Sequence, residues 1–236
     1  HFFSIETDSV KFEENSREVV ISGATESGIG VERKIHVSDT GYFARYLETF
    51  SNDSLLPVSL HIRLTSHFTI STYIRKVDDQ RRTVSVPVGI ISSSTGDTFF
   101  NTTSAEADRW LILDDDLDVD PFVEHNLPAI AHIFGGETNS MRLSDGEFLS
   151  GSSGDFNRLA QTWHVVIPPN SKISLMHFLV QQTDRKAAQL SVERLIQLRP
   201  EAISGLTSEE MSRILNFDMP LGGVSTVAEL ANMQGR

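Results

Sequence analysis

The chain has 236 residues, and 20 Lys and Arg against 32 Asp and Glu give it a formal charge of −12 at pH 7. Apolar residues make up 39% and charged residues 22%, too much apolar mass for a disordered chain and enough for a folded core. The acidic excess disfavours non-specific binding to nucleic acid or anionic lipid, which needs clustered Lys and Arg, and no run approaches the roughly 18 apolar residues of a membrane span.

In chain order, the sequence opens at His1 without a charged or apolar leader before Phe2, which reads as a processed chain or a piece of a longer one. Ile29, Val31, Ile35 and Val37 repeat with a period of two, interrupted by Arg33. Val58, Leu60, Ile62 and Leu64 then alternate with Ser59, His61, Arg63 and Thr65. Val84, Val86, Val88 and Ile90 alternate again, with Pro87 marking an edge or bulge. Trp163, Val165 and Ile167 follow, and after the turn Pro168-Pro169-Asn170-Ser171 come Ile173, Leu175 and Leu179. Turn-forming clusters separate these runs at Ser38–Gly41, Ser51–Ser54 and Ser94–Asp97, and Gly151–Gly154 reads as a loop tip. Strands joined by short turns predict a mainly β chain, a large antiparallel β-sandwich.

Past Asp184 the period changes. Ala188, Val192, Leu195 and Ile196 recur at helical spacing, so Arg185–Leu198 is expected as an amphipathic helix ended by Pro200. Thr207 and Glu210 form a capping box that predicts a second short helix over about 208–215. The sandwich is expected to occupy residues 1–218, with 219–236 a linker or the start of a following segment.

Candidate chemistry is sparse. The run Asp114-Asp115-Asp116-Leu117-Asp118-Val119-Asp120 offers closely spaced carboxylates of the kind calcium takes, but Val119 and His125 stand where a helix–loop–helix calcium site needs Gly and Glu. Extended, it would line up Asp114, Asp116, Asp118 and Asp120 on one face, about 7 Å apart, as the candidate metal ligands. Calcium is the one cofactor this allows; no other is expected. Asn52-Asp53-Ser54 and Asn101-Thr102-Thr103 are sugar-acceptor sequons, which makes Asn52 and Asn101 candidate glycosylation sites.

There are no cysteines, so disulfides and thiolate chemistry are excluded. The eight histidines lack the His-Glu-x-x-His spacing of zinc proteases, and no nucleophile elbow, dinucleotide fingerprint or phosphate loop occurs. His61 alternates outward. His177 falls in step with Ile173 and Leu175 and faces inward as a hydrogen-bonded core residue. Arg33 and Arg45 interrupt apolar rows, so each needs a carboxylate from a neighbouring strand, with Glu48 a candidate. Trp110, Trp163, Tyr42, Tyr46 and Tyr73 are the rings able to stack on a sugar.

Val31–Val37 followed by Gly41–Glu48 resembles a pattern in very large bacterial surface proteins, where it opens a β domain set among immunoglobulin-like modules. Ser93–Asp97 with Ala107–Trp110, Ser174–Phe178, and Gly205–Thr207 with Ile214–Phe217 resemble the same domain type in the same order, over roughly residues 28–218. That domain type is similar in outline to the supersandwich of galactose mutarotase-like proteins. The resemblance implies a non-catalytic structural or interaction module of an extracellular or cell-surface adhesin or filament protein. Its partners would then be copies of itself or neighbouring domains, with neither nucleic acid nor membrane insertion. The alternative is a carbohydrate-binding or carbohydrate-active domain whose partner is a glycan.

Overall fold

The computed structural model describes residues 6–13, 17–39, 42–68, 71–77, 80–86, 88–103, 106–115, 128–138, 141–150 and 157–220. Thirteen strands are defined among them: β1 (Glu6–Glu13), β2 (Glu18–Ala24), β3 (Gly30–Val37), β4 (Phe43–Asn52), β5 (Val58–Phe68), β6 (Ser71–Val77), β7 (Gln80–Val86), β8 (Gly89–Ser93), β9 (Trp110–Asp114), β10 (Ala129–Ile133), β11 (Asp145–Leu149), β12 (Asn157–Ile167) and β13 (Ser171–Gln182). Three helices follow: α1 (Arg185–Ile196), α2 (Pro200–Ile203) and α3 (Ser208–Arg213). The mainly β, antiparallel class read from the sequence is the observed one. Among the described residues three helices follow β13 instead of two, because Pro200 starts a short helical turn of its own. The single alternating run expected over 84–90 is divided between β7 and β8, and Pro87 lies outside the described residues, as do 151–154 and the tail from 221.

Eight strands form one sheet in the order β1-β2-β3-β4-β13-β10-β9-β8, and β11-β12-β5 form a second; β6 and β7 pair by themselves. All pairings between named strands are antiparallel. Each central strand of the large sheet divides its side chains between two cores. Phe43, Leu47, Met176, Phe178 and Val180 face the helices and pack with Ala188, Val192, Leu195 and Ile214. Phe50, Ile173, Leu175, Leu111 and Leu113 face the small sheet and pack with Ile62, Leu159, Trp163, Val165 and Ile167. The layers are therefore helices, large sheet and small sheet, in that order.

Local chemistry fixes the helical layer. Asp184 caps α1 by accepting from the Ala187 amide, and Thr207 and Glu210 close the expected capping box on α3, with Glu210 N 3.1 Å from Thr207 Oγ1 and Thr207 N 2.8 Å from Glu210 Oε2. Beyond α3, Ile214 bridges to Ser174 in parallel, and the Leu215 amide donates to the Ser174 carbonyl. Asn216 is fully buried and ties this segment to the sheet. Its Oδ1 accepts from Met176 N at 2.9 Å, while Nδ2 donates to Met176 O at 2.7 Å and to Phe134 O at 2.8 Å. Replacing it with Ala leaves three buried backbone groups short of partners, so Asn216→Ala should cost about 2–4 kcal/mol. Urea denaturation would show a lower midpoint at unchanged slope; a loss below about 1 kcal/mol would refute this role.

Candidate functional site

The inner face of the large sheet, which looks toward the small one, is apolar at one end and polar further along. On β4 the inward residues run Phe50, Glu48, Tyr46; on β13 they run Ile173, Leu175, His177; on β3 they run Val31, Arg33, Ile35. Strand register sets Arg33 opposite Glu48 and Glu48 opposite Leu175, and in the next inward row Ile35 opposite Tyr46 and Tyr46 opposite His177. Phe50, Ile173 and Leu175 belong to the intersheet core, whereas Tyr46, Ile35 and Leu179 are half-buried. The polar group thus sits where the covering core gives out.

Its members touch one another. Arg33 Nε donates to Glu48 Oε1 at 2.8 Å and to Oε2 at 3.0 Å. His177 Nε2 lies 3.3 Å from Glu48 Oε1, and the His177 ring stacks on Tyr46 with centroids 4.6 Å apart and planes 12° apart. Glu48 is 2% exposed, so its charge is held by Arg33 and not by solvent. With Glu48 accepting, His177 Nε2 carries the proton and Nδ1 keeps its lone pair. That Nδ1 is buried and has no hydrogen-bond partner among the described residues.

His132, on the next strand, pairs with Leu179 and is buried beneath the edge of Phe68, whose centroid is 5.3 Å away. Burial, and then the charge that His177 can carry, push its pKa down to about 3. Its Nε2 is a second buried nitrogen without a hydrogen-bond partner among the described residues. Gln161 on β12 is in step with Leu159 and Trp163, which turns it toward the large sheet, and its Nε2 is likewise unpartnered among the described residues. A buried polar atom left unpaired costs about 1–3 kcal/mol.

A second ionic group lies on the helix face and is structural. Arg45, 1% exposed, donates to Ala202 O at 3.1 Å and to Ser204 O at 2.6 Å, and its Nη2 is 3.5 Å from Glu18 Oε2. Lys34 meets Glu210 at 2.9 Å and Glu18 at 3.5 Å. Burial opposes its charge, but the hydrogen bond and charge of Glu210, with Glu18 and Glu13, outweigh burial and raise its pKa. On the same side of the sheet a cavity of about 540 Å³ opens beside α1, lined in part by Trp110, Arg109, Glu137 and Glu193. It is remote from the inner-face group.

Of the candidates named from the sequence, Asp114 is buried in an ion pair with Arg185 Nε at 2.8 Å, and the Arg185 Nη2 also donates to Asp115 O. Asp116, Asp118 and Asp120 lie outside the described residues. Among the described residues no group of three or more histidine and carboxylate side chains is placed to hold a metal. Asn52 is buried, and its Nδ2, the atom a glycan would be joined to, donates to Leu56 O, Ile167 O and Pro168 O. Asn101 accepts from the Thr103 amide and hydroxyl in an exposed turn. The partners expected for the arginines are found: Glu48 for Arg33, Glu18 for Arg45. His177 faces inward as read. The alternation contained each of these members singly; their convergence, and the part of His132, depend on strand order.

No protein-family model matches the chain, and no curated protein matches it. Solved structures do. The Slr1438 protein of Synechocystis sp. PCC 6803 is 11% identical with a TM-score of 0.44, over 76% of this chain and 66% of that one. The alpha-galactosidase of Lactobacillus brevis is 12% identical at 0.37, over 78% of this chain and 26% of that one. A galactose mutarotase-like protein of Lactobacillus casei ATCC 334 is 10% identical at 0.37, over 74% and 72%. This chain therefore spans about two thirds of the first and a quarter of the second. The galactose mutarotase-like outline is matched, and none of the three is described as a module of a surface protein with immunoglobulin-like repeats.

These findings correct the expectation of a non-catalytic structural module of a surface, adhesin or filament protein. The neighbours are galactose mutarotase-like and glycosidase proteins.

His132 supplies a stability test. Above about pH 6.5 neither the folded nor the unfolded chain protonates this ring, and its contribution is complete. Below that pH the unfolded chain binds a proton that the native one refuses until about pH 3, so stability falls as the pH drops across this window. The parent should therefore lose a few kcal/mol more than His132→Gln between pH 7 and pH 4 in urea denaturation; identical losses would contradict the assignment.

Proposed function

We propose that this chain is a carbohydrate-active β-sandwich whose inner-face site receives a cyclic sugar and transfers a proton at it. The observation that carries this reading is the 3.3 Å hydrogen bond from His177 to Glu48, with the other imidazole nitrogen unpartnered beside the Tyr46 ring. Glu48 fixes the ring and its tautomer, and stabilises the imidazolium that forms when Nδ1 takes a proton. Arg33 binds Glu48 through Nε, leaving its terminal nitrogens at the half-exposed rim as donors to ligand hydroxyls. The unpartnered nitrogens of His132 and Gln161 add further polar positions, while Ile35, Leu179 and Tyr46 offer apolar surface to the C–H face of a ring. Mixed donors and acceptors beside an aromatic ring suit a polyhydroxylated ligand better than a charged or wholly apolar one.

The step this geometry serves is removal of the anomeric hydroxyl proton by His177 Nδ1 as the C1=O bond forms and the bond from C1 to the ring oxygen breaks, the imidazolium passing its proton to the released ring oxygen; rotation about C1–C2 and the reverse sequence close the ring on the other face and give the other anomer. Polarimetry or NMR exchange on freshly dissolved glucose and galactose should show anomer interconversion faster than the spontaneous rate. His177→Asn should lower kcat/KM at least 100-fold, and Glu48→Gln at least 10-fold with KM little changed. Absence of both acceleration and sugar binding in the parent chain would overturn the proposal.

A further inference from the structure

The outer face of the small sheet carries a separate imidazole pair. His61 on β5 and His164 on β12 are direct cross-strand partners, both exposed, and their rings stack with centroids 4.8 Å apart and planes 27° apart. Ser59, two residues before His61 on the same face, has its Oγ 2.8 Å from His164 Nε2. We propose that this pair is a binding site for a divalent d-block cation of the zinc, nickel or copper type, held by one nitrogen from each ring.

Three features lead there. Antiparallel pairing holds the two Cβ atoms about 5 Å apart, on strands whose other faces are locked into the intersheet core. Metal–imidazole bonds of about 2.0–2.1 Å place two ligating nitrogens roughly 3.3 Å apart around a tetrahedral ion. The stacked rings stand slightly beyond that span, and rotation of two exposed side chains closes it. Finally, when His164 donates from Nε2 to the Ser59 hydroxyl, its Nδ1 lone pair is the one left for the ion; orienting a ligating imidazole through its second nitrogen is how metal sites fix their ligands.

The surroundings narrow the ion. Arg63, the cation two residues from His61 on the same face, is engaged by Glu147 at 2.8 Å and Asp145 at 3.9 Å, so its charge is partly neutralised. No carboxylate stands directly opposite either histidine in the strand register, so water completes the coordination and the ion stays exchangeable. Imidazole nitrogen favours zinc, nickel and copper over calcium and magnesium, which want oxygen. The site is on the other side of the small sheet from the Glu48–His177 group, so it stands or falls independently of the carbohydrate reading.

The test is calorimetric titration of the full 236-residue chain with zinc and with nickel at pH 7.5. One ion should bind per chain, and calcium should not compete. His61→Ala and His164→Ala should each weaken binding at least tenfold with unchanged thermal midpoints in the absence of metal, and Ser59→Ala should weaken it less. Histidine NMR resonances of these two rings should move first, and binding should weaken at pH 5, where protons compete with the ion. A chain that binds neither metal, or one whose affinity survives both substitutions, would overturn the proposal.

Discussion

The pairing of β4 with β13 at the middle of the large sheet is the constraint on which the rest of the structure depends. The two strands are in register from Phe43 with Val180 to Asn52 with Ser171, and both of their faces are covered. A shift of one residue would send Met176 and Phe178 toward the small sheet and turn Leu175 and His177 into the helical layer. Neither core would then fill. The same register brings Tyr46 against His177 and sets Glu48 beside Leu175, within reach of both Arg33 and His177. Packing and site are thus fixed by one alignment: the apolar rows on either side specify it, and the polar row comes into position with them.

That coupling explains why charged groups can be held in the interior. Glu48 and Arg45 lie three residues apart on β4, one facing the small sheet and the other the helices, and both are nearly inaccessible. Each would cost several kcal/mol if left alone. Glu48 is held by Arg33 and His177, and Arg45 by Glu18 and two helix-layer carbonyls. The two groups nonetheless differ in kind. Arg45 ties the large sheet to the helical layer through Ala202 O and Ser204 O and meets Glu18 within the sheet, whereas in the Glu48 group His177 Nδ1 has no hydrogen-bond partner among the described residues.

The antiparallel class was legible because period-two alternation survives in β3, β5, β12 and β13, and because Thr207 and Glu210 carry a helix start in their own side chains. The partners of Arg33 and Arg45 were legible by necessity, since a buried guanidinium must meet a carboxylate. What could not be read was strand order. β13 pairs with β4 and β10, well over a hundred and about fifty residues back respectively, and no local pattern encodes that. The place of His132 beside β13, where it pairs with Leu179, follows from that order alone. In the acidic run, Asp114 closes β9 and is paired with Arg185 of α1, a contact that spans 71 residues and that no local pattern shows.

The anchoring of Arg45 has a consequence for biosynthesis. Its carbonyl acceptors on Ala202 and Ser204 lie 157 and 159 residues downstream, so the ribosome must make α2 before this guanidinium gains them. A nascent chain that has made β2 and β4 but not α2 can offer Arg45 the Glu18 carboxylate but neither of these carbonyls. The arginine thus ties full settling of this part of the sheet to a segment synthesised much later.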